Sequence, residues 1–218
     1  MTGRQLRLIV KLTVMLAVGM QLGGCNVLGW GAQVFAPDAN SMVNVTAEYR
    51  GLDNQKVAVL VDADLATMYQ FPTAQLEVCA AVTQQLAGNV PGVTMIDARQ
   101  VVDFQQRNIY WNTATYSDLA KRLGVTRLVL VELTEYRVNE PGNVNLFRGV
   151  MAANLSVAET DSVHPNDLAY STHVTVAYPP NRSEGVPNAD PTTIRKGTLD
   201  LFALVAGGKF FDHKEPQP

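Results

Sequence analysis

Apolar and polar positions along the chain change period several times, and each change marks an element. "KVAVLVDAD", from Lys56, is β-branched and closed by acids, which predicts a buried strand. After Pro72, "TAQLEVCAAVTQQLAGN" switches to a helical period. Leu76, Cys79, Ala80, Thr83, Leu86 and Ala87 share one face, and Gly88 is placed to end the helix. A second strand is expected at Val93 to Ile96, followed by a turn or helix start. "YSDLAKRLG" predicts a short helix with Ser117 as N-cap and Gly124 as its stop. In "VTRLVLVELTEYRV" the run Leu128 to Val131 is apolar on both faces, which predicts a central strand. Pro141-Gly142 suits a type II turn. Two alternating segments follow. Met151, Ala153, Leu155 and Val157 form one row, and Tyr170, Thr172, Val174, Val176 and Tyr178 form the other. With the strand before them they predict an antiparallel meander with one wet face. "PPNRSEGVPNADP" reads as a loop. "TTIRKGTLDLFALVAGGKFFDH" reads as a long amphipathic helix weakened by Gly197, Gly207 and Gly208.

The expected order is β-α-β-α-β-β-β-α. It describes a single α/β (α+β) domain over 56–213, with a mixed, largely antiparallel sheet and helices mainly on one face. No internal repeat is visible. Residues 214–218, "KEPQP", are expected to be disordered.

The first residues follow another pattern. Arg4, Arg7 and Lys11 come without an acid, and the apolar stretch Leu12 to Leu22 is shorter than the ~20 residues of a spanning helix. A basic start, a short apolar run and small residues predict a secretory signal over 1–24. Residues 25–55 mix Gly, Pro and Asn, and their first half reads as a tether. As a coil, about thirty residues span ~30 Å, and fully extended ~100 Å. Trp30 and Phe35 could sit at a lipid interface or dock on the domain.

Leu22-Gly23-Gly24-Cys25 resembles the lipobox of bacterial lipoproteins. The resemblance implies cleavage between Gly24 and Cys25 and diacylation of the Cys25 thiol, with palmitate-type chains holding the protein on a membrane. Asn26, where an aspartate would favour inner-membrane retention in enteric lipoproteins, implies an outer-membrane protein facing the periplasm.

Losing the leader removes three of the seventeen basic residues and none of the twenty acids, so the remaining charge is 14 − 20 = −6. That balance leaves no electrostatic footprint for nucleic acid. With Cys25 lipidated, Cys79 has no disulfide partner. Its neighbours, "LEVCAAV", predict a buried thiol.

The element order, and "LAKRLGVTRLVLVELTEYRV" in particular, resembles the α/β domain shared by several envelope lipoproteins. These are the periplasmic part of the curli secretion channel, the TolB N-terminal domain, and small lipoproteins that assist polysaccharide export or peptidoglycan synthases. "EYRVNEPGNVNLFRG" and "FFDH" resemble uncharacterised lipoproteins of planctomycete-type bacteria. The strand after Leu123-Gly124-Val125 departs from the pattern, with Glu132 where a glycine often sits. The resemblance implies a non-catalytic accessory or scaffold of an envelope assembly, concerned with export or the cell wall and bound to an envelope protein partner. Some relatives form rings.

Chemistry-bearing motifs are sparse. There is no phosphate-cradling loop and no G-x-S-x-G elbow. His164, His173 and His213 lack metal-ligand spacing, so no metal or cofactor is expected. Asp62 and Asp64, at a strand's carboxyl end, could serve a hydrolytic or transfer enzyme, or simply a solvated turn. At the hairpin tip, Leu146, Phe147 and Arg148 combine the residue types of a partner-binding patch, or Leu146 and Phe147 fold back to cap the sheet. Tyr110 and Trp111, with Tyr116 nearby, could stack a glycan or pack on the preceding helix.

Overall fold

The computed structural model describes residues 42–216. The leader, Gly24, Cys25, Trp30 and Phe35 lie outside the described residues. Strand β1 (Met42–Val45) pairs with β8 (His213–Pro216) in a two-stranded sheet. Of the described residues, Met42–Asn44 and Lys214–Pro216 belong to a unit separate from the main one, Val45–His213. Lys214–Pro216, expected to be disordered, are thus strand.

The main unit is built on β2 (Lys56–Ala63), β3 (Thr94–Met95), β4 (Arg127–Glu140), β5 (Asn143–Glu159), β6 (Leu168–Tyr178) and β7 (Val186–Pro187). Its helices are α1 (Leu65–Gln70), α2 (Ala74–Asn89), α3 (Ala98–Arg107), α4 (Tyr116–Leu123) and α5 (Pro191–Gly208). The strand order is β3-β2-β4-β5-β6, with β7 on β5. β2 is parallel to β3 and β4, and the rest is antiparallel. This is the mixed, largely antiparallel α/β sheet the pattern predicts, with β4 at its centre and β4-β5-β6 as the meander.

Register explains the core. Val59, Val129, Val157 and Tyr170 align across four strands, as do Val61, Val131, Leu155 and Thr172. This row faces α2, which packs on β2, and α5, which packs across β5 and β6; the two helices also pack on each other. Met151, Ala153, Leu155 and Val157 are fully buried. The second face is divided. Near the strands' amino ends Ala58, Leu60 and Leu128 are also buried, and α4 packs on β4. A crossover from β3 past β2 to β4 needs that opposite face to stay right-handed. Farther along, the second face is open and polar.

Helix details depart from the periodicity. In α2 the buried set is Ala74, Val78, Cys79, Val82 and Leu86, while Ala80 and Ala87 are exposed. The face is rotated toward the β-branched residues. Gly88 does not stop α2, which runs on to Asn89. The α4 N-cap is Thr115, whose Oγ1 accepts from Asp118 N at 3.3 Å, rather than Ser117. Gly124, with φ +67°, ends α4 as expected.

The open edge of β2 beyond the two-residue β3 is covered by α3. The side-chain amides of Gln75 and Gln105 both donate to the Val61 carbonyl, at 2.9 and 3.0 Å.

The domain begins before Lys56. Glu48 and Tyr49 donate their backbone N–H to Lys209 O, at 2.9 and 3.1 Å. Leu52 is fully buried, and Arg127 Nε donates to Gly51 O at 2.9 Å. Tyr49 stacks on Tyr170, with centroids 5.3 Å apart. The 25–55 boundary of the tether is therefore too long: Val45 onward is packed. The chain enters at the amino ends of β2 and β4. Among the described residues no helix is long and apolar enough to cross a membrane.

Candidate functional site

The opposite end of the sheet, where β2 finishes, is built differently. Asp64 closes the strand and N-caps α1, its Oδ1 accepting from Thr67 N at 2.7 Å. That backbone N–H holds the Asp64 carboxyl below its ordinary range. α1 has no buried residue: Leu65 is 89% and Tyr69 91% exposed. These two lie four residues apart, on one side of the helix.

α3 ends at the same end of the sheet, since Gln105 reaches Val61 there. Beyond it Ile109 is 79% and Tyr110 80% exposed. The turn that presents them is well tied. Asn108 Nδ2 donates to Phe104 O at 2.7 Å, and Tyr110 O accepts from Thr113 N and Oγ1 at 3.1 and 2.9 Å. Trp111 is half-buried, as is Tyr116. The two adjacent aromatics thus differ in exposure, with Tyr110 in water and Trp111 partly packed.

β4 and β5 run past the end of β2 as a hairpin turning at Gly142, where φ is +78°. Leu146 and Phe147 are half-buried and pair with Pro187 and Val186 of β7. Asn188 N donates to Asn145 O at 3.2 Å, closing the same flap. Arg148 is half-buried, with Nη1 3.8 Å from Glu140 Oε1. Leu146 and Phe147 thus lie within the β5–β7 ladder, with Arg148 next in the strand. The exposed apolar side chain of the tip is Val144, at 77%.

Behind this rim lies a rigid support. Phe71, just after α1, stacks on Tyr136 of β4 with centroids 4.4 Å apart. The Arg195 guanidinium of α5 lies over Phe71 at 5.6 Å and donates to Tyr136 Oη and Thr73 Oγ1 at 3.3 and 2.8 Å. It also pairs with Glu77. Burial raises the Tyr136 hydroxyl above its ordinary pKa. The α1–α2 corner is thereby fixed to both the sheet and α5, while the apolar side chains ahead of it remain in solvent.

Asp62 and Asp64 are not joined by a histidine. Asp62 aligns with Glu132, Asn154 and His173 in one cross-strand row, which puts Asp62 and His173 roughly 14 Å apart at normal strand spacing. Along that row Asn154 Nδ2 donates to Glu132 Oε2 at 3.0 Å. His173 Nδ1 and Nε2 lie 3.0 Å from Asn154 Oδ1 and Thr175 Oγ1. His164 is exposed in a turn, and His213 Nδ1 is 3.0 Å from Phe211 O. Among the described residues no group of three His, Cys, Asp or Glu is placed to hold a metal ion.

Leu65, Tyr69, Ile109 and Val144 were not legible as site residues. Leu65 and Tyr69 lie among other apolar residues in "DLATMYQF" and Ile109 in "NIYW", and nothing in these runs marks which side chains the fold leaves in water at one end.

The fold defines an open mixed-sheet α/β domain with a rim of exposed apolar side chains at the carboxyl end of β2. No family model matches the chain, and no curated protein matches it. Solved structures of similar outline include the PelC dodecamer from Paraburkholderia phytofirmans. It is 8% identical over 78% of this chain and 96% of that one, with a TM-score of 0.45. Lipoprotein GNA1162 from Neisseria meningitidis is 13% identical over 69% and 96%, with a TM-score of 0.43. The LpoB C-terminal domain from Salmonella enterica is 17% identical over 66% and 90%, with a TM-score of 0.26. Likeness at this level carries no statement of function.

Proposed function

We propose that this chain is a lipid-anchored envelope protein, held on the membrane through Cys25, that acts as a non-catalytic accessory of a larger envelope assembly. It docks a protein partner through the rim at the carboxyl end of β2. The observation that carries the docking is the exposure of Leu65, Tyr69, Ile109 and Tyr110, from 79 to 91%, on α1 and the turn after α3 at one end of the sheet. Large apolar side chains in water on a supported backbone have apolar area to bury on binding, and aromatic anchors of this kind dominate interface energies. The lipobox-like Leu22-Gly23-Gly24-Cys25 supports the anchor. A pocket joining Asp62, Asp64 and a histidine would favour an enzyme instead, and His173 lies three strands from Asp62.

The test is affinity purification after mild crosslinking in the native membranes, comparing wild type, Tyr69→Glu/Tyr110→Glu and Cys25→Ala. The expected result is one partner recovered with wild type and lost with the rim variant, whose melting temperature stays unchanged. Cys25→Ala is expected to leave the membrane fraction. Equal recovery with the rim variant would remove the docking assignment, and retention of Cys25→Ala in the membrane would remove the anchor.

A further inference from the structure

The two edges of the main sheet are treated in opposite ways. The β2 edge is closed by β3 and by the side-chain amides from α2 and α3. The β6 edge has no such cover. Among the described residues, no backbone N–H or C=O of Tyr170–Tyr178 bonds to anything outside the β5 ladder. A bare edge strand invites pairing with another chain, and monomeric proteins blunt it with Lys, Pro or a bulge. Here the run Tyr170–Tyr178 carries no Lys, Arg, Asp or Glu. Its bulge lies outside the run, at Ala169, where Val157 pairs with Tyr170 and Ala158 with Leu168. Its proline, Pro179, comes just after it.

We infer that β6 is an interface between two copies of this chain, pairing antiparallel with its own counterpart across a two-fold axis at Val174. That axis is the centre of the unbroken run, so it uses every residue between the bulge and Pro179. It is also self-complementary. Tyr170 meets Tyr178 and Thr172 meets Val176 on the helix-covered side. Ser171 meets Ala177 and His173 meets Thr175 on the open side. Side chains keep their face, because residues paired about Val174 differ by an even number. No like charges meet at neutral pH, and His173 and Thr175 already hydrogen-bond within one chain at 3.0 Å. A two-fold contact of this kind closes on itself, so the sheet ends in a dimer and not a fibre. This interface uses a different part of the sheet from the rim, and either assignment can fail alone.

The test uses the full lipidated chain, purified from membranes in detergent. Thr175→Cys places two thiols on diagonal cross-strand positions, ~7–8 Å apart. A short bismaleimide should convert it to a covalent dimer, while Val163→Cys, at the far turn, should stay uncrosslinked. Light scattering should give twice the monomer mass for wild type. His173→Lys/Thr175→Lys sets like charges against each other across the axis and should restore the monomer mass. His173→Lys/Thr175→Glu sets Lys against Glu twice and should keep the dimer. The three substituted positions, Val163, His173 and Thr175, are exposed, so folding can be confirmed by unchanged circular dichroism. A monomeric wild type, or a dimer indifferent to both charge patterns, overturns the assignment.

Discussion

Cys79 Sγ lies 3.1 Å from the Val59 carbonyl oxygen, to which it donates from within the α2–β2 interface. Burial is the main force on its proton and pushes the thiol from an ordinary 9.0 up to about 12. The sign of the consequence follows from which state binds the proton. Below pH 9 the thiol is neutral in both folded and unfolded chains and makes no pH-dependent difference. Between pH 9 and about 12 the unfolded chain releases a proton that the folded chain keeps, so stability falls as pH rises through that window. Other groups titrate there as well, including Tyr49 and Tyr170, whose hydroxyls are also pushed up by burial. The useful quantity is therefore a difference: between pH 8 and pH 10.5, Cys79→Ala should lose less urea stability than wild type. An equal loss would mean that the thiol is not sheltered. The residue was readable in advance, because "LEVCAAV" surrounds it with apolar neighbours. Leu65 and Tyr69 were not, since the apolar-rich run "DLATMYQF" reads as a segment to be covered and only the fold leaves these two in water.

Glycine behaves in opposite ways in two helices that the periodicity predicts equally well. A Cβ on Gly88 of α2 would meet nothing within 4 Å. A Cβ on Gly197 of α5 would stand 2.5 Å from the Tyr178 ring, where the helix crosses the end of β6. Gly88→Ala should therefore stabilise by ~0.5–1 kcal/mol, through helix propensity and a less free unfolded chain. Gly197→Ala should destabilise by about 1–3 kcal/mol, because overpacking outweighs the propensity gain. Thermal melts of the two variants should move in opposite directions from wild type, and a rise with both would mean that α5 is not closely seated on Tyr178. Periodicity finds a helix but weighs a glycine only by its local cost, so Gly88 read as a stop and Gly197 as a weakness. The register of the meander was more legible. Alternation in β5 and β6 has a period of two, and a slip of one residue would turn Met151, Ala153, Leu155 and Val157 into water. The rotated face of α2 was less so: Ala80 and Ala87 fit either face by hydropathy, and it is the volume of Val78 and Val82 that fills the space above β2.

At the scale of the whole molecule, what needs explaining is how the domain is closed at its amino end. Periodicity placed the first ordered residue at Lys56, because "AEYRGLDNQ" has no period to read. The contacts that hold this stretch are single and nonlocal. Leu52 is buried, Tyr49 stacks on Tyr170, Arg127 reaches Gly51 O, and Lys209 O takes two backbone N–H groups. Arg127 is itself buried beside Glu159 and Asp161, so without Gly51 it would lose an acceptor that water cannot easily replace. Glu48 adds bonds from Lys209 and Tyr170, which keep its carboxyl below the ordinary range. A chain beginning at Val45 keeps all of these and should match the urea midpoint of the full chain. A chain beginning at Lys56 loses them together. Burial of Leu52 alone is worth about 2 kcal/mol, and the orphaned partners add to it, for a loss on the order of 3–5 kcal/mol. If the two truncations unfold at the same urea concentration, residues 45–55 are a passive leader to the domain. If only the shorter one fails, those residues are its first structural element. If Cys25 carries the proposed anchor, a pull on it would reach the sheet through the Tyr49–Tyr170 and Arg127–Gly51 contacts, at the end opposite the exposed apolar rim.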